Sequence, residues 1–115
     1  MNELAGMHCS AINATSQRLA DQEIGQYQAN LPNWEIYTQE GELRLEKVFQ
    51  FKDFNQAVDF TNQVAKIANQ EDHHPALLTE WGKVTVTWWT HKIHGLHLND
   101  FIMAAKTDQL LLRKQ

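Results

Sequence analysis

The sequence predicts an α+β fold, in which a four-stranded antiparallel sheet carries helices packed on one face as a single pair of layers. Two observations predict this class. Apolar residues recur with a period of two in some segments and with a helical period in others. Two extended segments are joined by a tight turn, and helical segments interrupt the strands, as is typical of helices on an antiparallel sheet. The chain is long enough to bury one core, so we expect a single domain over residues 1–115.

The composition and charge of the chain argue against several classes of protein. Hydrophobic residues make up 43% and charged residues 21% of the sequence, a balance typical of a folded domain. The formal net charge of −4 argues against a nucleic-acid partner, which would require a basic surface. No apolar run is long enough to span a bilayer and the N terminus lacks a signal-peptide pattern, so we expect no membrane partner. The single cysteine, Cys9, cannot form an internal disulfide, which favours a cytoplasmic location.

The first part of the chain predicts a loose tail, a short helix and a hairpin. Residues 1–15 show no periodicity, and we expect them to form the tail. A helix is expected over residues 20–30, with Asp21 as its cap. The Glu40-Gly41 pair then marks a turn between two strands of a hairpin.

The central segment predicts a long amphipathic helix. Asp53 and Gln56 resemble a capping box, so the helix is expected to begin there. Its apolar positions follow the spacing of one helix face and are expected to pack against the sheet. They are Phe54, Ala57, Val58, Thr61, Val64, Ala65 and Ala68.

The last part of the chain predicts a short extended piece, a strand and a final helix. One face of the strand is expected to lie in the core, and its residues are Val84, Val86 and Trp88. Trp89 lies on the opposite face, where a large aromatic ring is expected to contact a partner subunit. The final helix is expected to have Asp100 in its first turn, with Arg113 and Lys114 near its end.

Five of the six histidines lie in the second half of the chain, and three interpretations of them stay open. They are surface or capping residues, ligands of a metal ion, or a metal-free acid–base site, since histidine titrates near neutral pH. His73 and His74 precede Pro75, which favours an extended conformation for the residue before it. We expect a loop that presents both rings to a pocket shared with His91.

The spacing of the later histidines gives the metal interpretation little support. His91, His94 and His97 are three residues apart, but a continuing strand would point His91 and His94 to opposite faces. Gly95 interrupts any helix between them. We therefore expect no metal and no cofactor, and we interpret His8 and His97 as surface or capping residues.

The stretch HHPALLTEWGKVTVTWWTHKIHGLHLND resembles the signature of the pterin-4a-carbinolamine dehydratases. That signature has a His-His-Pro triplet, an aromatic residue, a histidine after a strand and an aspartate that opens the last helix. The matching positions are His73, His74, Pro75, Trp81, His91 and Asp100. The similarity extends from about residue 20 to about residue 110 and includes LPNWEI and FNQAVDFTNQVAKIA.

The resemblance implies a dehydratase that removes water from 4a-hydroxytetrahydropterin to give quinonoid dihydropterin, in tetrahydrobiopterin recycling and without a cofactor. It implies that His73 and His91 form the acid–base pair, and that His74 positions the pterin or shares the proton transfer. Asp100 is expected to orient an imidazole, and Trp81 to line the pocket or pack in the core.

The chain departs from the family pattern at one position. Members often have an acidic residue four positions before the first histidine, where this chain has Asn69. Glu71 and Asp72 are nearby carboxylates and are interpreted as candidates for binding or orienting the substrate. The resemblance also implies a homodimer or homotetramer. It leaves two alternatives, a non-catalytic dimerisation or regulatory module and a pterin-related role in molybdopterin metabolism.

Overall fold

The computed structural model describes residues 3–13 and 15–112. Its four strands form one antiparallel sheet in the order β1-β2-β4-β3. The strands are β1 (Glu35–Gln39), β2 (Glu42–Gln50), β3 (Ala76–Glu80) and β4 (Lys83–Trp88). The helices are α1 (Asp21–Gln28), α2 (Phe54–Glu71) and α3 (Leu98–Leu112), with short 3₁₀ helices at Glu3–Gly6 and His91–Ile93. The predicted α+β class with a four-stranded antiparallel sheet is confirmed.

The hairpin between β1 and β2 closes through the predicted turn. Glu40 and Gly41 both have positive φ angles, 53° and 78°, as a tight two-residue hairpin turn requires. The register pairs Gln39 with Glu42 directly after the turn. This short connection fixes Glu42 as the first residue of β2, at the end of the sheet where the histidine-rich segment follows β4.

Helix α2 begins where the sequence predicts. The Asp53 carboxylate accepts a hydrogen bond from the Gln56 N–H at 2.9 Å, which satisfies one of the unpaired donors of the first turn. The prediction missed the core residue Phe60, which is buried. It wrongly included Phe54, which is 48% exposed. The large ring of Phe60 contacts that of Phe49, with ring centroids 4.8 Å apart.

Helix α1 begins with a different cap from the one predicted. Ala20 is the capping residue, and Asp21 is already the first helical residue. The Glu23 carboxylate accepts a hydrogen bond from the Ala20 N–H at 3.0 Å. Asp21 instead places its negative charge in the first turn, where the helix dipole favours it.

The N-terminal segment (residues 3–13) is ordered against α3, which corrects the expectation of a loose tail. Leu4 and Ala5 are 5% and 6% exposed and belong to the core. Further along, the Ser10 N–H donates to Asn99 Oδ1 at 3.0 Å, and Asn99 Nδ2 donates back to the Ser10 carbonyl at 2.8 Å. These contacts join residues far apart in the sequence, so no periodicity reveals them.

Helices α2 and α3 pack over the sheet face that carries the predicted core residues of β4. Trp88 is fully buried, and its Nε1–H donates to Thr107 Oγ1 of α3 at 3.3 Å.

Arg113 and Lys114, predicted near the end of α3, lie outside the described residues. Within the described part of the chain, no helix has the length and apolar character needed to cross a membrane.

A substitution at Leu4 tests the packing of the N-terminal segment. Leu4→Ala should lower the free energy of unfolding by about 2–4 kcal/mol, because it removes buried methyl groups and leaves a cavity against α3. Met7→Ala is the matched control in the same segment, since Met7 is 40% exposed. Urea unfolding followed by circular dichroism measures both changes, and equal midpoints for Leu4→Ala and the unchanged chain would contradict the packing.

Candidate active site

Three separate parts of the chain line one cavity of about 550 Å³, a size that suits a small-molecule ligand. They are residues 9–12 of the N-terminal segment, residues 71–75 after α2 and residues 89–92 after β4. The cavity brings together all three predicted catalytic histidines, His73, His74 and His91. The prediction of a pocket shared by the doubled histidine and the histidine after β4 therefore agrees with the structure.

The end of α2 turns His73 inward and leaves His74 outside. Asp72 adopts the left-handed conformation with a φ of 52°, and the His73 N–H then donates to the Ala68 carbonyl at 3.1 Å. This closure of the last helical turn reverses the chain direction. As a result the His73 side chain is 8% exposed, whereas His74 lies at the exposed rim.

A buried carboxylate fixes the orientation of the His73 ring. His73 Nε2 lies 2.7 Å from Oδ1 of Asp100, which is fully buried, and the ring stacks on Trp88 at a 9° interplanar angle. Because a carboxylate accepts hydrogen bonds, the proton of a neutral His73 ring sits on Nε2. This leaves Nδ1 as an acceptor with no hydrogen-bond partner among the described residues.

Asp100 has both of its oxygens occupied by donors. Its Oδ2 accepts from the Thr90 hydroxyl at 2.8 Å and from the His97 N–H at 3.0 Å. A buried charge requires such partners, since an unpaired one would be strongly destabilising. The structure places Asp100 in contact with the His73 ring, and its role in orienting that ring during a reaction stays a prediction.

A second carboxylate, Glu42, holds His91 and His94. Oε2 of Glu42 lies 3.1 Å from His91 Nδ1 and 2.9 Å from His94 Nδ1. Glu42 is only 5% exposed. The hydrogen bond from His94 holds the pKa of the Glu42 carboxyl below its usual range, although burial acts in the opposite direction. The two rings are exposed, at 80% for His91 and 70% for His94.

Sequence reasoning missed Glu42 because nothing in its spacing links it to the histidines. It lies 49 positions before His91 and next to a turn, in a strand whose alternation only predicts a polar face. Its place follows from the antiparallel pairing of β2 with β4, which sets the start of β2 beside the end of β4. The register pairs Leu45 with Trp88, three residues before His91.

The rim residues Asn69 and His74 contact each other. His74 Nε2–H donates to Asn69 Oδ1 at 3.0 Å. The position where the family often has a carboxylate thus carries a neutral amide that orients the second histidine. Asp72 forms the left-handed end of α2 beside them and is exposed.

Glu71 holds the N-terminal segment against α2. Its Oε1 accepts from the Cys9 N–H at 2.8 Å, and its Oε2 accepts from His8 Nδ1 at 2.8 Å. The bond from the Cys9 N–H is the main cause that lowers the pKa of Glu71, against the effect of burial. Glu71 lines the cavity, but its carboxylate is engaged in positioning the cavity wall.

Cys9 lies in the cavity wall as a protonated thiol. Burial raises its pKa to about 12, and the negative charges of Glu71 and Asp100 act in the same direction. A thiolate is the nucleophilic form of cysteine. The cavity therefore offers no activated cysteine for covalent catalysis at neutral pH.

Trp81 does not line the cavity, which corrects its predicted place in the pocket or the core. It lies in the turn between β3 and β4 and is 71% exposed. Ala76 pairs with Thr87 and Glu80 with Lys83, so the turn is at the end of this hairpin opposite to His73 and His91. A tight turn after Glu80 gives Trp81 no neighbouring layer to pack against.

Two other predicted roles concern Trp89 and His97. Trp89 is half-buried in the cavity wall, with the Arg44 guanidinium 4.0 Å above its ring. Its contact with a partner subunit stays a prediction.

His97 Nδ1 accepts from the Asn99 N–H at 3.0 Å at the start of α3, which agrees with a capping role. Burial is the main cause that lowers the His97 pKa.

The chain matches one family model and shares its fold with solved structures. Residues 17–110 match the family described as pterin 4 alpha carbinolamine dehydratase. The crystal structure of a transcriptional coactivator/pterin dehydratase from Brucella melitensis is 31% identical, with a TM-score of 0.74, over 82% of this chain and 98% of that one. A pterin dehydratase-like protein, identified as a RuBisCO assembly factor in the alpha-carboxysome, shares the fold at 20% identity and a TM-score of 0.57. That match covers 68% of this chain and 88% of the other.

The lowered pKa of Glu71 predicts how the N-terminal segment responds to acid. A carboxylate whose pKa falls on folding stabilises the fold at pH values above its unfolded pKa of 4.5. This stability is lost as the pH falls through the pKa of the folded state. Glu71→Gln should therefore cost about 1 kcal/mol at pH 7 and flatten the loss of stability towards pH 4.

Denaturant unfolding at several pH values measures this effect. Glu35→Gln is the matched control, because Glu35 is an exposed glutamate in β1, outside the N-terminal segment. A pH dependence of Glu71→Gln that is as steep as that of the unchanged chain would contradict the role of the Glu71 charge.

Proposed function

Because the chain belongs to the pterin 4 alpha carbinolamine dehydratase family, we propose that it is a hydro-lyase acting on a 4a-hydroxytetrahydropterin. The reaction releases water and gives the quinonoid dihydropterin, so that the tetrahydropterin can be regenerated by reduction. The observation that supports this most is the presence of two carboxylate–histidine pairs at one cavity, Asp100 with His73 and Glu42 with His91.

The reaction makes two demands on the cavity. The C4a–O bond breaks, and the departing hydroxide is a poor leaving group unless it receives a proton. The N5–H bond also breaks, and its electron pair becomes part of the new N5=C4a double bond while a base accepts the proton. One proton enters and one leaves, so the net product besides the pterin is water. A positioned acid and a positioned base supply both transfers.

Each carboxylate–histidine pair leaves one ring nitrogen for the substrate. In the His73 pair, Asp100 engages Nε2 and Nδ1 is left over. In the His91 pair, Glu42 engages Nδ1 and Nε2 is left over. We infer that one of these nitrogens protonates the hydroxyl group and the other accepts the N5 proton. The carboxylates stabilise whichever ring carries the positive charge.

His74 and the cavity wall serve substrate binding in this proposal. His74 sits at the rim with its ring oriented by Asn69, where it can hydrogen-bond the heteroatoms of a pterin or share a proton transfer. The Trp89 side chain offers a flat surface in the same wall, and planar heterocycles stack favourably on such surfaces.

The alternative of a non-catalytic regulatory module has one observation in its favour. The similar Brucella melitensis protein is described as a transcriptional coactivator as well as a pterin dehydratase. A pure adaptor has no need for two oriented histidines beside a cavity, so the site favours the enzyme. A pterin-related reaction in molybdopterin metabolism would use the same site, and the choice of pterin in the assay separates the two.

We also propose a cytoplasmic homodimer or homotetramer. The strands β1 and β3 are both edges of the open sheet, and unpaired strand edges can extend into a second copy. Leu78 on β3 is 58% exposed, and Trp81 beside it is 71% exposed. An interface would cover these apolar side chains.

The direct test mixes the purified chain with freshly generated 4a-hydroxytetrahydropterin and follows dehydration by ultraviolet absorbance. His73→Ala and His91→Ala should each lower turnover by about tenfold to a thousandfold, in line with the loss of one acid–base group. Glu35→Ala is the control, since Glu35 is exposed in β1 and is not among the residues that line the cavity. If both variants keep the full rate and an unchanged circular dichroism spectrum, the assignment is wrong.

A further substitution tests Glu42 as a positioning residue. Glu42→Gln should lower turnover by about tenfold, less than the loss of an acid–base group itself. The loss should appear in kcat with KM nearly unchanged, because Glu42 orients the His91 ring and is not among the residues that line the cavity. Glu46→Gln in the same strand is the control, and a Glu42→Gln variant that keeps the full kcat would contradict the positioning role.

A further inference from the structure

We propose that Glu42, His91 and His94 form a binding site for a divalent transition-metal ion of the zinc class. Each of the three residues offers one ligand atom, and these three atoms all lie within 4.8 Å of one another. Imidazole nitrogen together with a carboxylate is a donor set that suits zinc and its neighbours. Among the described residues, this is the group of histidines and acids whose atoms converge in this way.

The distances in the cluster are close to those of a metal centre. The two nitrogens lie 3.1 and 2.9 Å from the same Glu42 oxygen. Tetrahedral coordination with bonds of about 2.0–2.1 Å requires ligand atoms about 3.3 Å apart. An ion that replaces the two bridging protons therefore needs each of these oxygen–nitrogen distances to lengthen by only a few tenths of an ångström.

The backbone explains why two histidines three residues apart face one point. Strand β4 ends at Trp88, and His91–Ile93 forms a 3₁₀ turn. The side chains of His91 and His94 therefore do not point to opposite faces, as they would on a continuing strand. His94 then takes the left-handed conformation with a φ of 55°. A pair of backbone hydrogen bonds between Thr90 and Gly95 closes this loop, with lengths of 2.9 and 3.3 Å.

The Glu42 side chain is held in place before any ion binds. Arg44 Nη2 lies 3.5 Å from Oε1 of Glu42, and the Arg44 guanidinium is itself stacked over Trp89 at 4.0 Å. Arg44 therefore occupies one carboxylate oxygen and leaves the other for the histidines. Its positive charge lowers the affinity for a cation, so we expect exchangeable rather than permanent binding.

The outer side of the cluster is open to solvent. The exposed fractions of His91 and His94 are 80% and 70%, which leaves room for water as a further ligand. Three protein ligands with an open position are typical of sites that bind exchangeable ligands, whereas structural zinc sites are closed by four. The site also shares His91 with the proposed acid–base pair, so a bound ion would take the nitrogen that Glu42 now engages.

Titration of the untagged full-length chain with Zn²⁺ in a calorimeter tests the proposal, together with the visible absorption of bound Co²⁺. The expected result is one ion per chain. His94→Ala and Glu42→Gln should each weaken binding by at least about tenfold, since even groups outside the ligand shell are worth 10- to 100-fold. His8→Ala and His74→Ala are the matched controls and should keep the affinity of the unchanged chain.

Two results would overturn the site. One is the absence of stoichiometric binding of either ion to the unchanged chain at micromolar concentrations. The other is an affinity of His94→Ala equal to that of the unchanged chain, with circular dichroism showing that the variant is folded. His94 is exposed, so its replacement leaves the core intact. No pterin is present in these titrations, and their outcome is therefore independent of the dehydratase proposal.

Discussion

The buried carboxylate of Asp100 is the interaction on which the rest of the cavity depends. It accepts hydrogen bonds from a side chain after α2, from a hydroxyl after β4 and from the backbone before α3. Three segments of the chain therefore meet at one charge, and the first of them lies 27 positions before Asp100. Removing one partner of such a buried charge is expected to cost about 3–5 kcal/mol, so the geometry around His73 is coupled to the stability of the fold.

The two carboxylate–histidine pairs differ in their surroundings. The His73 ring lies between Asp100 and Trp88, shielded from water. The His91 ring is mostly exposed, and its carboxylate partner is the buried member of the pair. Two imidazoles with the same chemistry are thus held in different environments, one shielded from water and one open to it.

The sequence predicted the elements governed by local rules and missed the contacts that only the tertiary fold creates. Glu40-Gly41 and Asp53 are local signals, a turn that needs positive φ and a helix cap, and both are found as predicted. Glu42 and Asn99 act on residues about 50 to 90 positions away, with no periodicity to reveal them. Trp81 shows the opposite case, because its place in the signature spacing did not put it in the cavity.

The way the N-terminal segment is held has a consequence for how this cavity can evolve. Glu71 and the Asn99 side chain bind the backbone N–H groups of Cys9 and Ser10 and the Ser10 carbonyl, and these bonds do not involve the side chains of Ala11 or Ile12. The segment precedes the region that matches the family, which begins at residue 17. The side chains of Ala11 and Ile12, which line the cavity, can therefore be exchanged without loosening the attachment. This wall is a place where mutation can reshape the pocket while the histidines and their carboxylates stay fixed.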